Sequence, residues 1–196
     1  MNKKMIIFLG WFLLALGMTG CAIWKPVTQG HNGWKAEDFT ADLPVGWVRS
    51  SAPDCLLILT KDGVYLQEIT FSKTKTEKEL TFSKKKITQD MLLQEIADIT
   101  VNEMTLNQAY KNFELMDNKP VRLGGLDAFR LVYTFRNDDF LRYKCVHYGF
   151  LYKKKYYEIQ YLATVQHNFQ NSEKNFERFI DSFTVRTTRS ADQIAH

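Results

Sequence analysis

The side chains best suited to chemistry in this sequence belong to its three cysteines and four histidines. Cys145 and His147 are the closest pair, and their two-residue spacing places both on one face of a strand. A thiolate beside an imidazole can act as a nucleophile with its base. The alternative is a half-buried strand histidine beside a structural cysteine. We prefer it, because the sequence has no nucleophile elbow, phosphate-binding glycine loop or metal-spaced histidine pair. We therefore expect no enzyme activity, no cofactor and no metal site.

A third cysteine, Cys21, follows a segment with the composition of a secretion signal. Lys3 and Lys4 precede the uncharged apolar run 5–17, whose length suits a signal-peptide core and is shorter than a bilayer span. The segment Met18-Thr19-Gly20-Cys21 then resembles the bacterial lipobox, in which small residues precede a cysteine that receives a diacylglycerol group. We expect cleavage of a leader at 1–20 and lipid attachment, labelled by palmitate, at Cys21. An ordinary cleaved signal peptide with a nearby cysteine is the alternative.

Export and a lipid anchor would place the protein in the bacterial cell envelope. Ala22 stands where the inner-membrane retention signal has an aspartate, so we expect the outer membrane, with the protein facing the periplasm. The formal net charge is only +4, and two of the positive charges lie in the leader, so a nucleic-acid partner is not favoured. The expected partners are the membrane, through the anchor, and an envelope protein or lipid.

A triple-lysine cluster, Lys153-Lys154-Lys155, is a candidate binding surface. Each lysine near anionic lipid could contribute about 1 kcal/mol, within the reach that salt screening allows. The alternative is a solvated turn whose charges protect a sheet edge.

The hydrophobic pattern predicts one α+β domain at 38–187, with helices packed on a mainly antiparallel sheet. Short turns join the strands at 128–136, 140–152 and 156–165. One helix is expected from Gln89, capped by Thr88, and a second is expected to be capped by Ser172. Residues 21–37 hold Pro26, Gly30 and Gly33 without periodicity. They predict a lipidated cysteine and a flexible tether that could extend up to ~50 Å. Residues 188–196 are expected to form a loose tail.

Cys55 and Cys145 are expected to remain free thiols. Cys55 opens an apolar run in the first hairpin, whereas Cys145 lies in the middle of a strand in the second half. A disulfide needs Cα atoms within about 7 Å, which two such positions reach only in a favourable register. The oxidising compartment leaves a disulfide as the alternative.

Several short motifs resemble the PsbP-like (Mog-type) family, which includes bacterial lipoproteins such as the DcrB group. The motifs are an opening strand and turn from Phe39 to Pro44-Val45-Gly46-Trp47, then Gly125-Leu126-Asp127-Ala128, and finally Tyr157-x-x-x-Tyr161-x-Ala163 with Phe179-x-x-Ser182-Phe183. This resemblance implies an α/β sandwich over residues 36–187. It also implies a mostly non-catalytic role in binding proteins or assembling complexes.

Two functions remain open from the sequence. The first is a lipid-anchored, non-enzymatic binding or assembly module of the cell envelope, which a flat aromatic or basic patch would favour. The second is a small-molecule or lipid-binding chaperone. It would need a cavity of several hundred Å³ with apolar walls between sheet and helices.

Overall fold

The computed structural model describes residues 24–29 and 33–186, so the predicted leader, Cys21 and the predicted tail lie outside the described residues. Eleven strands and two helices occur in the described part. In chain order they are β1 Lys25–Pro26, β2 Trp34–Ala36, β3 Phe39–Ala41, β4 Val48–Ala52, β5 Cys55–Thr60, β6 Gln67–Lys75, α1 Leu93–Leu106, β7 Lys111–Leu123, β8 Leu126–Arg136, β9 Arg142–Tyr152, β10 Lys155–Thr164, α2 Asn168–Ser182 and β11 Thr184–Val185.

A large antiparallel sheet forms the centre of the molecule. Its eight strands lie in the order β1-β4-β5-β6-β10-β9-β8-β7, and a small sheet has the order β11-β3-β2. The small sheet and α2 cover one face of the large sheet, and α1 covers the other. The predicted α+β class, with helices on a mainly antiparallel sheet, is confirmed.

Strand alternation builds two separate cores. On β10, Tyr157, Ile159, Tyr161 and Ala163 all point into the core beneath α2 and the small sheet. The opposite core lies under α1, where Phe129, Leu131, Tyr133 and Phe135 of β8 meet Ile96 and Ala97 of the helix. Strand β8 is apolar almost throughout because helix or sheet covers both of its faces.

Gly149 permits the close packing beneath α1. A Cβ atom at this position would lie 2.2 Å from Cζ of Phe129 and 2.7 Å from the hydroxyl oxygen of Tyr156. Both rings are buried, and the Tyr156 hydroxyl lies 3.1 Å from Oγ1 of Thr100 on α1. A side chain at Gly149 would therefore push the rings away from the helix.

The ring of Phe39 joins the small sheet to the large one. It is wholly buried, and five rings surround it at centroid distances of 4.9–5.8 Å. They belong to Phe71, Phe150, Tyr152, Tyr157 and Phe183, so four come from three strands of the large sheet and one from the chain after α2. Most of these contacts are edge-to-face, the arrangement that aromatic quadrupoles favour.

The predicted tether is wrong for its described residues. Lys25 and Pro26 pair with Arg49 and Val48 of β4, and the backbone nitrogen of Val27 donates to the oxygen of Trp47 at 2.8 Å. Residues 34–36 pair with β3. Residues 25–27 and 34–36 therefore belong to the folded domain, because distant strands supply backbone partners that no local pattern reveals.

Both helices begin at residues other than those predicted. Helix α1 starts at Leu93, where the Glu95 carboxylate accepts from the backbone nitrogen of Leu92, while Thr88 instead bonds the side chain of Asp90. Helix α2 starts at Asn168, so Ser172 is a buried residue inside the helix. Phe169 is a buried residue on the apolar face of α2, so the helix begins one turn before the predicted cap at Ser172.

We predict that Phe39→Ala will lower the free energy of unfolding by about 3–5 kcal/mol, because it removes a buried ring and leaves a cavity. Urea unfolding of the soluble domain measures the loss. Val45→Ala is the matched control, since Val45 is 60% exposed, and it should change stability by no more than about 0.5 kcal/mol. Equal effects of the two changes would contradict the central place of Phe39.

Candidate functional site

Cys145 and His147 lie on one face of β9, as predicted, but they do not form a reactive pair. Both are wholly buried beneath α1. Neither ring nitrogen of His147 has a hydrogen-bond partner among the described residues. Oε1 of Glu158 lies 3.2 Å from Nε2, at an angle that forms no hydrogen bond. The imidazole is therefore not oriented as a base toward the thiol.

The Cys145 thiol is also unsuited to attack. Burial raises its pKa to about 12, although a hydrogen bond with Tyr133 opposes that shift. The thiol therefore stays protonated near neutral pH, and the thiolate is the reactive form. These contacts are those of a structural cysteine.

Both described cysteines are free thiols, which confirms the prediction of no disulfide between Cys55 and Cys145. Cys55 is at the start of β5 and is partly exposed. Burial raises its pKa as well.

The triple-lysine cluster forms the turn between β9 and β10, and two of its three charges are paired. Nζ of Lys153 lies 2.6 Å from Oδ2 of Asp38, and Nζ of Lys155 lies 3.1 Å from Oε1 of Glu37. Lys154 makes no side-chain ion pair with any described residue. The cluster therefore holds the β2–β3 turn to the large sheet and does not present three free charges.

Glu37 is the centre of this contact. Its carboxylate accepts hydrogen bonds from Lys73 at 2.5 Å, from the Tyr157 hydroxyl at 2.6 Å and from Lys155. Partial burial opposes the shift, but these bonds outweigh it and lower the pKa of Glu37 to about 2. The backbone of Glu37 has a φ of +50°, which is uncommon for residues other than glycine. The three hydrogen bonds help to maintain this conformation.

An exposed apolar surface lies at one end of the large sheet. It consists of Tyr65, Leu66, Phe140 and Leu141, and we call it the end patch. Tyr65 is 84% exposed and Phe140 is 72% exposed. Hydrogen bonds to backbone oxygens hold Tyr65 and Leu66 against the start of β9 and the end of β10. The Tyr143 hydroxyl donates to the oxygen of Tyr65 at 2.7 Å, and Thr164, which pairs with Tyr143, donates to the oxygen of Leu66.

Phe140 is strained as well as exposed. Its φ is +61°, in the left-handed region that bulky residues avoid. The ring has one cation near it, Nζ of Lys111 at 5.8 Å from the centroid. Strained residues of this kind cluster at functional sites, where the surroundings hold them. The sequence signal for this position is an apolar Phe140-Leu141 pair directly after the turn residues Asp138-Asp139.

A cleft of about 560 Å³ lies between α2 and the segment after β3. Asp42, Asn175, Arg178, Asp181 and Ser182 line it together with Leu43, Pro44, Val45 and Phe179. It is on the outside of the domain, against one side of α2, and both polar and apolar side chains line it. It does not have the apolar lining between sheet and helices that the chaperone hypothesis requires.

The described ranges contain neither a metal-binding cluster nor a helix that could cross a membrane. No group of three or more His, Cys, Asp or Glu side chains in residues 24–29 and 33–186 could hold a metal ion. Neither helix of this part of the chain is long and apolar enough to cross a membrane.

We predict that Glu37→Gln will flatten the acid side of the stability profile. Folding lowers the pKa of Glu37 from 4.5 to about 2, so its contribution is complete above about pH 4.5 and is lost as the pH falls toward about 2. Urea unfolding across that range measures the slope. Tyr157→Phe, which removes one donor, should act in the same direction, and Lys154→Met should keep the wild-type slope. A Glu37→Gln profile parallel to wild type would refute the assignment.

Comparison with known proteins bears on the fold. No protein-family model matches the sequence, and no significant match to a curated protein was found. Solved structures do match over most of the chain. PsbP (CyanoP) from Synechocystis sp. PCC 6803 has 13% identity and a TM-score of 0.52, over 86% of this chain and 96% of its own. LpqN of Mycobacterium tuberculosis, involved in cell envelope biogenesis, has 12% identity and a TM-score of 0.57, over 84% and 91%.

A mutant of the protein Mog1 matches at 12% identity and a TM-score of 0.52, over 80% of this chain and 97% of its own. Identities this low establish architecture alone. The residues of the sequence motifs fit that conclusion, since Phe39, Trp47, Tyr157, Tyr161 and Phe183 are all core residues. The chain has the PsbP-like fold that its motifs predict.

Proposed function

We propose that this protein is a lipid-anchored, non-enzymatic module of the bacterial cell envelope that binds or assembles another envelope protein. Its anchor is the lipid on Cys21, and its binding surface is the end patch. The outer membrane, with the domain facing the periplasm, is the proposed location.

The end patch is the observation that carries the binding part of the proposal. Two aromatic side chains are mostly exposed on loops at the same end of the large sheet, and exposed apolar surface of this kind is typical of interaction sites. Aromatic residues are also enriched at the centres of protein interfaces. The backbone conformation of Phe140 also supports a binding role. A left-handed φ costs about 1–3 kcal/mol, and the domain keeps it at a residue whose ring is not buried.

The protonated thiol of Cys145 supports a non-enzymatic role. It belonged to the strongest catalytic pair in the sequence, and its burial and high pKa make it inert as a nucleophile. The envelope location draws support from the fold shared with LpqN, whose described role is in cell envelope biogenesis. That support is an analogy between folds, and the lipobox is the independent argument from this chain.

Cys21→Ser should release the protein from membranes and abolish its labelling by palmitate, because it removes the thiol that receives the lipid. Cell fractionation measures the release, and metabolic labelling with palmitate measures the loss of the lipid. Cys55→Ser is the matched control, since it removes a thiol within the domain, and it should leave membrane association and labelling intact. Membrane association of Cys21→Ser at the wild-type level would refute the anchor.

A photoreactive amino acid at Tyr65 or Phe140 should form a discrete crosslinked species in cells. The same group at Leu92, which is 69% exposed at the start of α1, is the matched control and should form none. Phe140→Asn should abolish the crosslink from Tyr65 without loss of stability, because asparagine tolerates the left-handed region.

Urea unfolding of Phe140→Asn separates a lost contact from a lost fold. Equal crosslinking from Tyr65, Phe140 and Leu92, or a crosslink from Tyr65 that Phe140→Asn does not change, would contradict the end patch as the binding surface.

A further inference from the structure

The strand nearest to the proposed anchor is fixed to the edge of the large sheet. β1 begins at Lys25 and pairs with β4. Val27 follows, is buried, and exchanges two backbone hydrogen bonds with the chain at 46–47. Only Ala22, Ile23 and Trp24 stand between Cys21 and this strand. Three residues extend about 11 Å at most from Cys21 to Trp24, far less than the ~50 Å expected of a tether over residues 21–37.

Two cations face each other on this edge. Lys25 and Arg49 are direct partners in the β1–β4 register, a position in which like charges repel. Neither side chain makes an ion pair or hydrogen bond with a residue in the described part of the chain. Lys25 is exposed and Arg49 is partly exposed, so an external anion can reach both.

The surroundings of this pair suit a lipid surface. Arg49 and Pro26 line a cleft of about 200 Å³ together with Trp34 and Leu43. Trp24, directly before β1, is 40% exposed. Tryptophan is enriched where membranes meet water, because its ring has an apolar body and a polar NH group.

We propose that the β1–β4 edge is a membrane-docking surface, on which Lys25 and Arg49 together bind the phosphate of an anionic phospholipid headgroup and Trp24 lies at the interface. This inference rests on the proposed anchor at Cys21, which holds the edge within reach of the bilayer. A phosphate between the two cations turns their mutual repulsion into attraction. It also gives the domain a fixed orientation.

That orientation has a measurable consequence. The large sheet has seven strand spacings from β1 to β7, so the two edges are separated by about 34 Å. The β1–β4 edge should contact headgroups, and the β7 edge should stay in water. A tethered domain without the docking contact would present both edges equally over time.

The test uses the lipidated protein in vesicles of phosphatidylglycerol and phosphatidylcholine, with a fluorophore on a single introduced cysteine. Ser51→Cys reports on β4, and Lys119→Cys reports on β7; both positions are exposed, and Cys55→Ser removes the partly exposed native thiol. Brominated phospholipids quench only a fluorophore that contacts the bilayer. We expect quenching at Ser51 and none at Lys119.

Lys25→Glu with Arg49→Glu should remove the quenching at Ser51 while the protein stays with the vesicles through its lipid. Lys85→Glu with Lys86→Glu is the matched control, because it changes net charge equally at two exposed lysines of the loop before α1, and it should keep the quenching. Vesicles of pure phosphatidylcholine, which carry no net negative charge, should also reduce the quenching at Ser51.

Absence of quenching at Ser51 with the protein bound, or quenching that the Lys25 and Arg49 reversal does not change, would overturn the docking surface while leaving the anchor in place. Failure of the wild-type protein to stay with the vesicles would contradict the anchor itself, and the docking proposal with it.

Discussion

The attachment of the small sheet to the large one is the contact on which the rest of the structure depends. Phe39 supplies the apolar part, with five aromatic rings around one wholly buried side chain. Glu37 supplies the polar part, through bonds to Lys73, Lys155 and Tyr157. The turn between β2 and β3 thereby closes the core beneath α2. Phe183, the residue directly after α2, packs against the Phe39 ring. Local strand propensity alone would not hold these three-residue strands in place.

Local signals in the sequence were enough to predict the middle of the fold. Strands β8, β9 and β10 are long, largely apolar segments joined by short polar turns, so their order and antiparallel pairing could be predicted directly. A second helix in the region of α2 was also predicted, although its first turn was missed. These features depend on neighbours within a few residues, which a sequence displays.

Features that depend on distant partners could not be predicted. Residues 25–26 and 34–36 belong to the folded domain because β4 and β3 pair with them, and their own composition suggested a tether. The lysines at 153 and 155 looked like a free basic surface because Asp38 and Glu37, more than a hundred residues earlier, are invisible to a local pattern. His147 and Cys145 share a face as predicted, but only burial and bond angles show that they are not a reactive pair.

The proposed lipid, the β1–β4 edge and the end patch fit one arrangement at the membrane. A lipid at Cys21 would hold the β1–β4 edge at the membrane, and the end patch, on loops at the ends of the strands, would remain open to a protein partner. The central claim is the lipid itself. Mass spectrometry of the N-terminal peptide of the protein purified from its own cell membranes tests it most directly. We expect a chain that begins at Cys21 and carries a diacylglycerol mass on that residue. A chain that begins elsewhere, or an unmodified Cys21 thiol, would contradict the account.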